Sequence, residues 1–220
     1  MATIIVSYDG TDSDRDALAL GDLLAGAGAS LELAYVTHSE RLGEHEAEGL
    51  LAAGAAAIGR PEAPQHVVLS GSTAEGLRDL AQEREAAAIV FGSEYRTAKG
   101  HLDPQPTARR LLDGGPVAIA LAPAGFAERA GEAIAAVAAL SEDGDPCARE
   151  TAESLAGRLG ARIEERATRG AGLLVVGSTP GTVTGRVRIS AAAEYLTELA
   201  GCPVLVLPRG VSVLFGGDSE

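Results

Sequence analysis

Short apolar runs ended by Gly, Ser, Thr or Asp alternate along this chain with stretches in which Ala and Leu return at helical spacing. Thr3–Tyr8 is a β-branched strand closed by the turn Asp9-Gly10-Thr11. Ser13 with Asp16 fits a capping box, and Ala17, Leu20, Leu23 and Leu24 carry a helix until Gly26 and Gly28 stop it. Leu31–Thr37 is a second strand, ending at His38; Glu44–Ile58 is an Ala- and Leu-rich helix weakened by Gly49 and Gly54. His66–Ser70 runs into Gly71-Ser72-Thr73, where Ser72 or Thr73 caps a helix reaching about Arg84. Ala87–Phe91 and Pro116–Ala122 complete five strands alternating with helices. That order predicts an α/β fold, a doubly wound parallel five-stranded sheet with right-handed crossovers. Ligands of such sheets bind beyond the carboxyl ends of the strands, where Asp9, His38 and the loop from Gly92 belong.

The pattern then repeats in shortened form. Ala87-Ala-Ile-Val-Phe-Gly-Ser93 is echoed by Gly172-Leu-Leu-Val-Val-Gly-Ser178, and Pro116-Val-Ala-Ile-Ala-Leu by Pro203-Val-Leu-Val-Leu. The expected organisation is a complete unit over 1–123, a linker over 124–131, a truncated unit over 132–210 and a tail over 211–220. Within the second unit, Ala133–Leu140 is a weak strand, and Asp145-Pro146 supplies an N-cap and a proline at the first helical position. Ala148, Ala152, Leu155, Ala156 and Leu159 form the helix's buried stripe. Ala161–Arg166 reads as another strand, followed closely by Leu173–Val176, a helix over Ala191–Ala200 and the strand Pro203–Leu207. An edge strand and two helices of the full unit are missing. The apolar Val211–Phe215 is expected to dock on the body or on a second chain.

Composition narrows the choice. Apolar residues make up 46% and aromatics only 3%, so the core is built from Ala, Val, Leu and Ile. A net charge of −13 argues against nucleic acid or an anionic membrane as partner. Against that background two segments are locally positive: Tyr95-Arg96 to Lys99 and His101, containing the sole lysine, and Thr179–Ala193, with Arg186 and Arg188 and no carboxylate. Each is either a solvated face or an anion site, and the second is alternatively a site for a partner chain. Cys147 and Cys202 form no metal or redox spacing and read as core residues, with a disulfide as the alternative. The scattered histidines make no metal constellation, and His38 and His66 read as structural or surface residues. No signal-peptide pattern or membrane-length apolar run is present, which points to a cytoplasmic protein. Nucleophile-elbow, phosphate-loop and GxGxxG motifs are absent, and Ser70 and Ala122 stand where a phospho-receiver needs Asp and Lys.

These residues resemble the universal stress protein family in its tandem form. The resemblance rests on Tyr8-Asp9-Gly10-Thr11, Leu33–Val36, Val90-Phe91-Gly92-Ser93 and Arg110-Leu-Leu-Asp-Gly-Gly-Pro116-Val in the first unit. In the second it rests on Val175-Val176-Gly177-Ser178 and Ala193-Glu-Tyr-Leu-Thr-Glu-Leu-Ala-Gly-Cys-Pro-Val204-Leu-Val. Nucleotide-binding members carry G-x2-G-x9-G-[ST] after strand four, and the resemblance implies that Asp9 and Val36 hold an adenosine. The loop departs from that pattern, giving Gly92, Tyr95 and then Gln105-Pro106, with Thr107 a displaced hydroxyl. In the second unit Gly177 is followed by Pro180 and Ser190-Ala191, so that site reads as vestigial.

The resemblance therefore implies a non-enzymatic regulator of the stress response with weak or lost ATP binding. Its candidate nucleotide site is Asp9, Val36, Gly92, Tyr95 and Thr107. It also implies antiparallel pairing of Pro116–Ala122 with Pro203–Leu207 as an intramolecular pseudo-dimer, leaving Val211–Phe215 for a homodimer. One alternative is an ATP- or AMP-binding protein with a rearranged loop and slow hydrolysis, using Tyr95, Thr107 and Lys99 or Arg96. Another is an interaction scaffold that offers a sheet edge to a protein partner.

Overall fold

Buried on both faces, the apolar runs become strands, and the Ala-rich stretches become helices that cover them. In a computed structural model describing residues 1–39, 44–164 and 171–216, these are β1 (Thr3–Ser7), α1 (Asp12–Gly26), β2 (Ser30–Thr37), α2 (Glu44–Ala57) and β3 (Gln65–Leu69). There follow α3 (Thr73–Glu83), β4 (Ala88–Phe91), α4 (Pro106–Leu112) and β5 (Ala118–Leu121). After a 3-10 turn at Phe126–Arg129 come β6 (Ala136–Leu140), α5 (Cys147–Leu159), β7 (Arg162–Glu164), β8 (Leu173–Val176), α6 (Ala191–Ala200) and β9 (Val204–Val206).

The strands form one nine-stranded sheet in the order β3-β2-β1-β4-β5-β9-β8-β6-β7, where the expectation is a five-stranded sheet repeated as a shortened second unit. All neighbours are parallel except β5 and β9, which run antiparallel with Ala120 opposite Leu205. The reason is burial. Both strands are wholly apolar, and an open edge on either would expose unpaired peptide groups beside buried side chains. Residues from α1, α2 and α5 pack on one face with Leu20, Leu24, Leu51 and Leu155; α3, α4 and α6 cover the other with Leu77, Leu80 and Leu111.

Local details depart from expectation where several polar groups compete. The capping box is not made: α1 starts at Asp12 behind Thr11, whose side chain makes no cap bond. Asp14 instead reaches back to accept from the N–H groups of Asp9 and Gly10, while Asp16 accepts those of Gly125 and Ala127 at 2.9 and 2.7 Å. The segment after β5 is thereby tied to α1, with Phe126 buried. Helix α5 begins at Cys147, with Pro146 at the N-cap and the Asp145 carboxylate accepting the Cys147 N–H at 3.2 Å. Ser72 stands at the N-cap of α3 without a side-chain cap bond.

The part of the expected strand Ala161–Arg166 beyond Glu164 lies outside the described residues. Residues 211–216 pack within the chain: Val213 and Phe215 are buried, and their N–H groups donate to Thr151 Oγ1 and Ser154 Oγ of α5, each at 2.9 Å. Of the two places expected for this segment, the body holds Val213 and Phe215, while Val211 and Leu214 remain exposed. Cys147 and Cys202 are buried free thiols. Among the described residues no helix is long and apolar enough to cross a membrane.

Candidate functional site

The carboxyl ends of β1 and β2 open into a pocket of about 270 Å³, walled by Tyr8, Asp9, Tyr35, Val36 and His38 and closed by Thr73, Gln105 and Thr107. Asp9, Val36 and Thr107, all singled out from the sequence, thus share one cavity. His38 is held there by its Nδ1, 2.8 Å from the Ser70 carbonyl, with Nε2 3.3 Å from the Thr73 hydroxyl.

Asp14 joins this wall and was missed by sequence reasoning. Its carboxyl is buried against Asp9. Burial, then the hydrogen bond to the Asp9 side chain, push its pKa up to about 8, so it is largely protonated at neutral pH. The signal available in the sequence was the density of Asp at positions 9, 12, 14 and 16 around a single turn. Burial, and after it the Asp14 charge, also raise the pKa of the Tyr8 phenol. The pocket thus offers hydroxyls, an amide, an imidazole and a carboxyl pair, and neither Lys nor Arg lines it.

Gly92 serves the packing of α1. A Cβ added there would lie 2.0 Å from the Ser13 carbonyl oxygen, so the first turn of α1 rests directly on this backbone. The adjoining hydroxyl points inward: Ser93 Oγ donates to the Ala122 carbonyl at 2.8 Å and accepts the Asp103 N–H at 3.4 Å. The loop between then folds away from the Asp9 pocket. Tyr95 and Lys99 line a different cavity of about 570 Å³ bounded by Asp12, Ser13 and the segment after β5. There Arg96 stacks over the Tyr95 ring at 4.9 Å and Lys99 Nζ lies 2.6 Å from Glu128 Oε1.

In the second half Ser178 repeats the arrangement of Ser93, donating to the Leu207 carbonyl at 2.7 Å and accepting the Arg188 N–H at 3.0 Å. Beside the corresponding strand end lies a pocket of about 310 Å³ lined by Ala139, Ser141, Asp145, Arg149 and Ile163.

Neither a protein-family model nor a curated protein matches the sequence. The fold does match solved structures. A protein of unknown function from Pseudomonas aeruginosa PAO1 superposes with a TM-score of 0.65 at 17% identity, over 96% of this chain and 93% of that one. A candidate universal stress protein from Pseudomonas aeruginosa UCBPP-PA14 gives 0.65 at 16% identity, over 96% and 94%. A universal stress protein from Archaeoglobus fulgidus DSM 4304 gives 0.59 at 15% identity, over 94% and 98%. The chain therefore has a universal stress protein-like fold, mixed α/β with a mostly parallel sheet.

Proposed function

We propose that this chain is a universal stress protein-like regulator, without catalytic activity, built as a tandem of two units whose second lacks counterparts of α2, β3 and α3. The mirrored strand order about the β5–β9 pair supports the tandem reading. Its Asp9 pocket retains the walls for a nucleoside but not the means to hold phosphates. One observation carries this reading: the pocket has a carboxyl pair and no cation, while the neighbouring Ser93 hydroxyl is spent on Ala122 and Asp103. A phosphate chain leaving that pocket would meet the Asp9–Asp14 carboxyl pair and no guanidinium, so nothing lining the pocket offsets its charge. Proline at position 106 also removes a backbone donor at the start of α4.

The test is calorimetry with ATP, ADP and AMP, preceded by native and denaturing mass spectrometry of fresh protein. The expected result is no micromolar binding and no carried-over nucleotide. Micromolar binding abolished by Asp9→Ala would overturn the loss of the phosphate site and favour a nucleotide-binding protein with a rearranged loop.

The scaffold reading has its own support in α6, where Tyr195, Leu196 and Leu199 are exposed on one helix. In the first half α3 packs beside α4, whereas no described helix stands beside α6 in that way. A pull-down partner lost on Tyr195→Glu, with Asp9→Ala harmless, would establish this role.

A further inference from the structure

A second polar pocket, of about 250 Å³, draws on α3 and α4 and shares no lining residue with the Asp9 pocket. Thr107 of α4 lines the Asp9 pocket; Arg110, one turn further along the same helix, lines this one together with Arg78 of α3 and Arg186 of the second half. The chain has 18 lysines and arginines against 31 carboxylates, so most cations are spent on acids. Arg110 is not. Among the lysine and arginine side chains of the described residues, it alone makes no ion pair, hydrogen bond or ring contact. Arg186 makes a single long side-chain bond, 3.4 Å to the Gly114 carbonyl, and Arg78 is half exposed beside Asp79 at 2.9 Å.

The convergence is built by the backbone. The Gly114 N–H donates to the Val187 carbonyl and the Val187 N–H to the Gly115 carbonyl, both at 2.8 Å, and these lock the turn after α4 to the segment bearing Arg186. Gly115 is required there, since a Cβ would lie 2.3 Å from the Leu111 carbonyl oxygen. Two carboxylates share the wall, Glu75 and Asp113, and Asp113 is 3.6 Å from the guanidinium of Arg188. Helix α3 also begins at this wall, with Ser72, Ala74 and Glu75 lining it and no side-chain cap on its first turn. The helix start adds positive partial charge to a site the arginines define.

We propose that Arg78, Arg110 and Arg186 form a binding site for a phosphate group, either free phosphate or the terminal group of a small phosphomonoester. Guanidinium forks match the tetrahedral oxyanion, and three of them converging from separate elements favour a multiply charged ligand over chloride. The site is independent of any ligand in the Asp9 pocket.

The experiment is a titration of the full-length protein with inorganic phosphate, and separately with glycerol phosphate, at constant ionic strength and followed by backbone amide resonances. Saturable shifts are expected at Ala74, Glu75, Gly114 and Gly115. Affinity should fall at least tenfold in Arg110→Ala and in Arg186→Ala, less in Arg110→Lys, and not at all in Asp9→Ala. Tighter binding of the ester would identify a phosphomonoester as ligand, and equal binding the free anion; either upholds the site. Shifts that do not saturate, or that chloride reproduces, would overturn it, as would saturable binding unchanged in both alanine variants. Arg110 and Arg186 are exposed, and a thermal melt checks that each variant is folded.

Discussion

Ser178 occupies in the second half of the sheet the position that Ser93 occupies in the first. Each hydroxyl donates to a carbonyl just beyond the last strand of its half, Ala122 or Leu207, and each accepts an N–H from the loop that follows it. Both are buried. Two glycine-serine pairs that look like phosphate-loop remnants are thus ties between a strand exit and its neighbour. Ser93→Ala and Ser178→Ala should each cost about 1–3 kcal/mol, because buried peptide groups lose their partner. Urea unfolding checks this, and a loss of ligand affinity without a loss of stability would refute it.

Gly92 and Gly177 look equivalent in sequence and are not equivalent in space. A Cβ on Gly92 meets the Ser13 carbonyl oxygen at 2.0 Å, whereas on Gly177 the nearest atom, the Ala148 Cβ, is 3.6 Å away. Gly92→Ala is expected to destabilise by roughly 3 kcal/mol or more, since α1 must shift as a body. Gly177→Ala should change stability by less than about 1 kcal/mol. Parallel thermal melts of the two variants decide the point.

The Asp9–Asp14 pair predicts an unusual pH dependence. Asp14 has a folded-state pKa of about 8, raised above its unfolded value, so its contribution is fully present below about pH 4 and is lost as pH rises through about 8. Asn resembles the protonated carboxyl and does not titrate. Asp14→Asn should therefore flatten the fall of Tm expected of the parent protein between about pH 4 and 8, tested by melts across that range. An unchanged profile would show that Asp14 is ionised throughout.

Glu32 behaves in the opposite sense. Burial alone would raise its pKa, but hydrogen bonds from Arg84 and His66 outweigh burial and hold it below the ordinary value. A lowered folded-state pKa means stability that is present above the unfolded pKa and disappears as pH falls through the folded one. Glu32→Gln should cost about 1–3 kcal/mol at neutral pH and much less in acid, a difference readable from denaturation at pH 7 and pH 3.

The strands were legible because each apolar run is bounded by residues that end it. The pairing of β5 with β9 was expected from family resemblance rather than from any pattern in the residues. Helix starts were less legible, since Asp9, Asp12, Asp14 and Asp16 crowd one turn, and Asp16's carboxylate is claimed by Gly125 and Ala127 far along the chain. Of the candidate site, Asp9, Val36 and Thr107 meet in one cavity, but Tyr95 and Gly92 do not join them. Linear spacing could not show that Ser93 would pin its loop inward and send Tyr95 elsewhere. The convergence of Arg110 with Arg186 was illegible for the same reason, because it depends on a backbone bridge between distant turns.

The antiparallel contact between β5 and β9 also sets how the molecule responds to dilution. Two separate chains meeting along such strands would come apart as their concentration falls. Here the covalent connection keeps the effective concentration of one strand around the other high whatever the abundance of the protein. The seam therefore endures in a cell holding very few copies.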